Sequence, residues 1–155
     1  VARGDAEKFS SVEKLQSQLL PIQREVDAEK MLFEKALLNC FINPLTAILK
    51  IKNGELLTNK HAYALLEMLY GELVEAFPSM RVQFPFDSVT ALCEKTAANT
   101  SSMFADRLAG RKTEVETIVG AILRKATREN KQIPTLRTLY EMIKAIEQIE
   151  SGDKM

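Results

Sequence analysis

Apolar residues fall three and four places apart along most of this chain, and that spacing restricts it to helices. From Asp27 onward, Met31, Leu32, Ala36, Leu38, Phe41 and Ile42 mark one stripe, and Leu65, Leu66, Leu69, Leu73, Val74 and Phe77 a second. Val115, Ile118, Val119, Ile122, Leu123 and Ala126 make a third, and Leu136, Leu139, Tyr140, Ile143 and Ile146 a fourth. Between them lies the punctuation of helix ends. Ser10 or Ser11, with Glu13 completing a capping box, opens a first helix to about Leu20 that Pro21 stops, and residues 23–26 read as a short extended piece. Pro44 predicts a kink in the second helix, because it removes one ladder hydrogen bond. Asn53-Gly54 is a turn signal, Thr58 caps the next helix, and Pro78 ends it. Residues 79–86 read as loop or irregular strand, followed by a short helix from Asp87 or Ser88 to about Ala98. Capping residue types at 99–102 introduce another helix that ends at Gly110. Thr113, with Glu116 three residues on, makes a capping box for a long helix to about Asn130, and the last helix begins near Pro134 or Thr135. The expected fold is all-α, with six or seven helices.

Composition narrows the function classes. A chain of 155 residues with 46% hydrophobic content can bury one core. Lys+Arg and Asp+Glu each number 21, so no excess of positive charge is available to neutralise phosphates, and nucleic acid is a poor partner. Cys40 and Cys93 sit in apolar helical segments without a close partner in sequence, which predicts buried thiols in a reducing compartment, by default the cytoplasm. No apolar run approaches the ~20 residues that span a bilayer, so no membrane association is expected. The opening Val1-Ala2-Arg3-Gly4-Asp5 lacks an initiator methionine, which suggests a domain excised from a longer protein. A single histidine, His61, without a second ligand at metal spacing reads as a helix-surface residue, so no metal site is expected. Catalytic triads and phosphate-binding glycine loops are likewise missing from the sequence. Met31, Met68, Met103 and Met142 read as core filler.

Against this background one polar row stands out. Lys35, Asn39 and Asn43 are four residues apart, and each step of four advances only about 40° around a helix, so one ammonium and two carboxamides share a face. Their neighbours are almost all apolar, and unpaired amides on a buried helix are costly. Taken alone, such a row is also what a solvated stripe looks like. Asn53 before Gly54 serves equally as a turn residue, Ser102 as a helix cap, and Glu114 as an acid favoured in a first helical turn. Glu116 is assigned to the capping box, and Cys40, about 100° from Asn39, to the core.

Two separated blocks then agree in residue type, spacing and order: Lys35-x-x-x-Asn39-x-x-x-Asn43-Pro44-Leu45-Thr46-Ala47 with Asn53-Gly54, and Ser101-Ser102-Met103-x-x-Asp106 with Arg111-Lys112-Thr113-Glu114 running on to Gly120. Together they resemble the C-terminal domain of ketopantoate reductase (2-dehydropantoate 2-reductase) over residues 27–149. The resemblance implies a multi-helix domain of the 6-phosphogluconate dehydrogenase C-terminal-like type. It also implies that residues 1–26 are the tail of an N-terminal Rossmann domain or its linker, with residues 27–155 the helical substrate-binding and dimerisation domain. The reaction implied is NADPH-dependent reduction of ketopantoate to pantoate, on the route to pantothenate and coenzyme A. NADPH would be bound mainly by the N-terminal domain, so the 155 residues alone would be inactive. Lys35 would be the general acid, protonated at neutral pH and placed to protonate the C2 oxygen. Asn39, Asn43, Asn53, Ser102 and Glu114 would bind the substrate. The partners implied are a small 2-oxo acid, the chain's own Rossmann domain and a second copy in a homodimer. A related reductase of another 2-oxo acid and a non-enzymatic helical interaction module are the alternatives.

Overall fold

The computed structural model describes residues 2–152, with side chains described from residue 24 onward. Among the described residues there are eight α-helices and one π-helical turn, and no strand. They are α1 (Ala2–Leu49), α2 (Glu55–Thr58), α3 (Lys60–Ala76), α4 (Met80–Gln83), α5 (Phe86–Lys95), α6 (Ser102–Leu108), the π turn (Glu116–Gly120), α7 (Ala121–Arg128) and α8 (Pro134–Ser151). The all-α expectation holds, and six of these helices run to seven residues or more. The chain divides into two units: the first is α1 up to Lys35, and the second begins at Ala36 and contains every other element.

In the second unit the core is built from the expected stripes. Leu37, Phe41 and Leu45 of α1, Leu66, Leu69 and Leu73 of α3, Ile122 of α7, and Leu136 and Ile143 of α8 are all essentially inaccessible to solvent. Leu56 of α2, Met80 of α4, Val89 of α5 and Met103 of α6 complete it. Burying each such side chain contributes roughly 1.5–3 kcal/mol. Tyr70 sits between Phe41 and Phe86, with ring centroids 5.5 and 5.1 Å apart, and its hydroxyl donates to the Phe84 carbonyl at 2.8 Å.

Helix ends show how local chemistry and tertiary partners divide the work. The side chain of Asn59, not of Thr58, caps α3, accepting from the His61 and Ala62 amides at 3.0 Å each. Pro134 starts α8 as expected, but its cap comes from another helix: Glu72 of α3 accepts from the Thr135 and Leu136 amides at 2.8 and 3.0 Å. α1, α6 and α7 each end on a left-handed residue, Lys50, Gly110 and Asn130. In each case the next amide reaches back five residues: Ile51 to Thr46, Arg111 to Asp106, and Lys131 to Ala126.

Several expectations are overturned. α1 runs unbroken through Pro21, so Ser10 and Ser11 lie inside a helix and residues 23–26 are helical rather than extended, while past Pro44 the helix continues as expected. A proline removes one ladder bond, and the rest of a long ladder can carry the helix past it. Part of residues 79–86 forms the helical turn α4. Met103 is buried, whereas Met31, Met68 and Met142 are exposed at 68, 59 and 43%, so they are not core filler. The Arg24–Leu49 stretch of α1 is, contrary to expectation, long and apolar enough by length and composition to cross a bilayer. Half of its most apolar window is buried inside the protein, as in a core helix.

Candidate functional site

The wall of the candidate site in the second unit is α1 from Ala36 to its end. Leu37, Cys40, Phe41 and Leu45 anchor this segment in the core. Asn39 is half-buried and Asn43 is 7% exposed. Asn43 Nδ2 lies 3.5 Å from Ser102 Oγ, a long hydrogen bond that joins the two sequence blocks across 59 residues.

A shorter, fully buried pair lies behind it. Thr46 Oγ1 and Ser101 Oγ are 2.6 Å apart. Thr46 also lies within reach of the Ile42 carbonyl at 2.9 Å, and the Ser101 oxygen accepts from the Phe104 amide at 3.2 Å. One arrangement of protons satisfies all three contacts: Phe104 N–H donates to Ser101, Ser101 to Thr46, and Thr46 to Ile42. Ser101, not Ser102, is therefore the cap of α6. Capping by Ser101 leaves Ser102, in the first turn, exposed beside Asn43.

Asn53 follows α1 in the tight turn before α2 and is 8% exposed. Its amide donates to the Asn99 carbonyl and Gly54's to the Ala97 carbonyl, both at 3.1 Å. Asn53 Nδ2 donates to Thr96 Oγ1 at 3.0 Å, and that hydroxyl donates to the Leu92 carbonyl at 2.7 Å. Asn53 Oδ1 is buried and lacks a donor among the described residues. An acceptor in that state costs about 1–3 kcal/mol unless it is satisfied. Asn53 is thus both the turn residue and a carboxamide with spare acceptor capacity.

Glu114 lies exposed just ahead of the π turn, and its carbonyl accepts from the Ile118 amide at 2.9 Å. Buried Cys40 lies 4.0 Å from the Ile118 carbonyl, so α1 packs against the π turn at the residue that follows Asn39. Burial pushes the Cys40 thiol far above its ordinary range, so it is a packed, un-ionised group. The expected Thr113/Glu116 capping box is only half present. Thr113 Oγ1 accepts from the Val115 amide at 3.3 Å, but the Thr113 amide donates to Glu147 of α8. Glu116 instead accepts from Tyr140 at 2.5 Å and Arg124 at 2.9 Å, with Lys144 at 3.9 Å. The expected long helix also begins with a π turn rather than an α turn. Such turns are uncommon and occur often at functional sites.

Arg107 of α6 was not singled out from sequence. Its guanidinium donates to the Ala47 carbonyl near the end of α1 and to Glu150 of α8 at 2.6 Å, where its charge complements the α1 dipole. Lys35, in the first unit, is exposed. Among the described residues the side chains of Lys35, Asn39 and Glu114 make no hydrogen bond or ion pair, so their polar atoms are available to a ligand.

The sequence over residues 27–147 matches the family model described as ketopantoate reductase PanE/ApbA C terminal. The chain belongs to this family. A 2-dehydropantoate 2-reductase of Listeria innocua is 37% identical over 131 residues, which is 84% of this chain and 42% of that protein. The crystal structure of a probable 2-dehydropantoate 2-reductase from Bacillus subtilis superposes with a TM-score of 0.68 at 37% identity, covering 74% of this chain and 39% of that one. A ternary structure of D-mandelate dehydrogenase with NADH and anilino(oxo)acetate gives a TM-score of 0.65 at 25% identity, covering 77% and 41%. The chain therefore spans about two fifths of the length of these ketopantoate reductase relatives.

Proposed function

We propose that this chain is the substrate-binding and proton-donating part of an NADPH-dependent reductase that converts ketopantoate to pantoate in the cytoplasm. The observation that carries this reading is the Asn43–Ser102 contact, which brings a residue from each of the two family-like blocks together. Asn39, Asn43 and Asn53 each offer donors and an acceptor, which suits a substrate with a ketone, a hydroxyl and a carboxylate. Ser102, in the first turn of α6, adds a hydroxyl. Glu114 accepts from the substrate hydroxyl. Lys35 donates the proton to the C2 oxygen as that oxygen gains charge.

The donor set suits a small oxo acid better than a dinucleotide. The strand, glycine loop and helix that cradle a pyrophosphate have no counterpart among these helices. NADPH, when bound by a Rossmann half, would supply the hydride. Every proton and substrate contact named above comes from this chain.

The test is Lys35→Ala in the reductase formed by this chain and its Rossmann half. Turnover should fall on the order of 10²–10⁴-fold, with a much smaller change in KM. Equal losses in both would remove the acid role. The likeness to D-mandelate dehydrogenase favours one second reading, a reductase of another branched 2-oxo acid. Comparing kcat/KM on ketopantoate with that on other branched 2-oxo acids decides between the two.

A further inference from the structure

Glu147 lies on α8, away from the two blocks that supply the proposed substrate groups, yet it makes two contacts with one residue of the second block. Its Oε1 accepts from the Thr113 amide at 2.8 Å and from Thr113 Oγ1 at 2.5 Å. Thr113 is 6% exposed, and its hydroxyl oxygen in turn accepts from the Val115 amide at 3.3 Å. The relay runs from a carboxylate through a threonine to a backbone amide, and Glu114 lies between its threonine, Thr113, and its last residue, Val115. Bonds to a charged acceptor are about twice as strong as neutral ones and fix geometry closely. Glu114 itself is exposed and makes no side-chain bond among the described residues, so its position depends on the backbone on either side of it.

We propose that Glu147 is a positioning residue: by holding Thr113 it sets the backbone of residues 113–115 and so aims the Glu114 carboxylate at the substrate. This rests on the proposed role of Glu114 as a substrate ligand. Glu147 touches neither substrate nor cofactor. What the contact requires of it is acceptor geometry rather than charge, since a carboxamide oxygen can accept the same two bonds.

The experiment is steady-state kinetics on the full-length reductase, with thermal unfolding in parallel. Glu147→Ala should raise KM for ketopantoate about tenfold, the size of losing one strong hydrogen bond, with kcat changed much less. Glu147→Gln should restore KM to within about twofold of the parent, because its Oε1 still accepts from Thr113. Thr113→Val, which keeps the amide and loses the hydroxyl, should fall between them and remains informative if Glu147→Ala fails to fold. Glu114→Ala, which removes the acceptor altogether, separates this proposal from the reading beneath it. If Glu114→Ala leaves KM unchanged, Glu114 is not a ligand and the functional reading fails. If Glu114→Ala raises KM while Glu147→Ala and Thr113→Val lower only the melting temperature, the contact is structural and the positioning role is overturned.

Discussion

Replacing Gly54 with alanine sets two known effects of opposite sign against each other. Gly54 has φ −66° and ψ −25°, ordinary right-handed backbone that alanine adopts freely. On conformational entropy alone the substitution should stabilise by about 0.4–1 kcal/mol. A Cβ built there, however, would lie 2.5 Å from Ala97 Cβ and 2.9 Å from Ala97 Cα. Neither atom is the tip of a flexible side chain, so the turn and the 97–99 segment must separate. Overpacking of this kind costs about 1–3 kcal/mol. Separation also strains the Asn53–Asn99 and Gly54–Ala97 backbone bonds, each worth about 0.5–1.5 kcal/mol net. Together these effects leave a loss of about 2–4 kcal/mol, or a fall in melting temperature of roughly 6–15 °C for a chain of this size. Urea unfolding followed by circular dichroism, with a thermal scan, measures both. Gly71 in α3 is the matched control: nothing lies within 4 Å of an added Cβ, so Gly71→Ala should stabilise by about 0.5–1 kcal/mol. A Gly54→Ala variant as stable as its parent would show that the close approach to Ala97 is not a constraint.

Both cysteines should be silent to a thiol reagent at pH 8 in the folded chain and react fully in urea; burial raises the Cys40 thiol above its ordinary range and pushes Cys93 up to about 11, and a fast-reacting native thiol would contradict this. Tyr140→Phe should alter how stability depends on pH. The Tyr140 hydroxyl, followed by Arg124 and Lys144, holds the Glu116 carboxyl below the ordinary glutamate range, and that hydrogen bond to Glu116 raises Tyr140. A depressed carboxyl contributes stability above its unfolded pKa and loses it as pH falls through the folded value. The melting-temperature deficit of Tyr140→Phe should therefore be present at neutral pH and shrink below the ordinary glutamate range. It should also shrink in high salt, because the cluster is exposed. A deficit independent of both would assign Tyr140 to packing alone.

Periodicity made α3 and α8 legible because each buries one face of an independent helix: Leu66, Leu69 and Leu73 in the first, Leu136 and Ile143 in the second. It misread α1 because a proline's local penalty says nothing about how much ladder on either side carries the helix past it. It misassigned Met31, Met68 and Met142 because a spacing of three or four defines a stripe but not how far around the helix the neighbours reach. The polar row was visible because unpaired amides among apolar residues are costly on a buried helix. The contacts that support it were invisible because their partners lie far away in sequence. Thr46 and Ser101 are 55 residues apart, Thr113 and Glu147 are 34 apart, and Glu72 caps a helix 63 residues on. The capping motif at Thr113 found the right residue and the wrong glutamate.

Ser101 and Ser102 show how that long-range wiring bears on function. Two adjacent serines at a helix start are indistinguishable by propensity, since either suits the cap. The fold separates them through Thr46. Its buried hydroxyl, 2.6 Å from Ser101, commits Ser101 to the cap and consumes its hydrogen-bonding capacity within the protein. The helix register then fixes Ser102 one residue on, exposed and beside Asn43. Of the two hydroxyls, Ser102's is therefore the one left accessible, and the threonine of the first block determines which serine of the second block stays exposed.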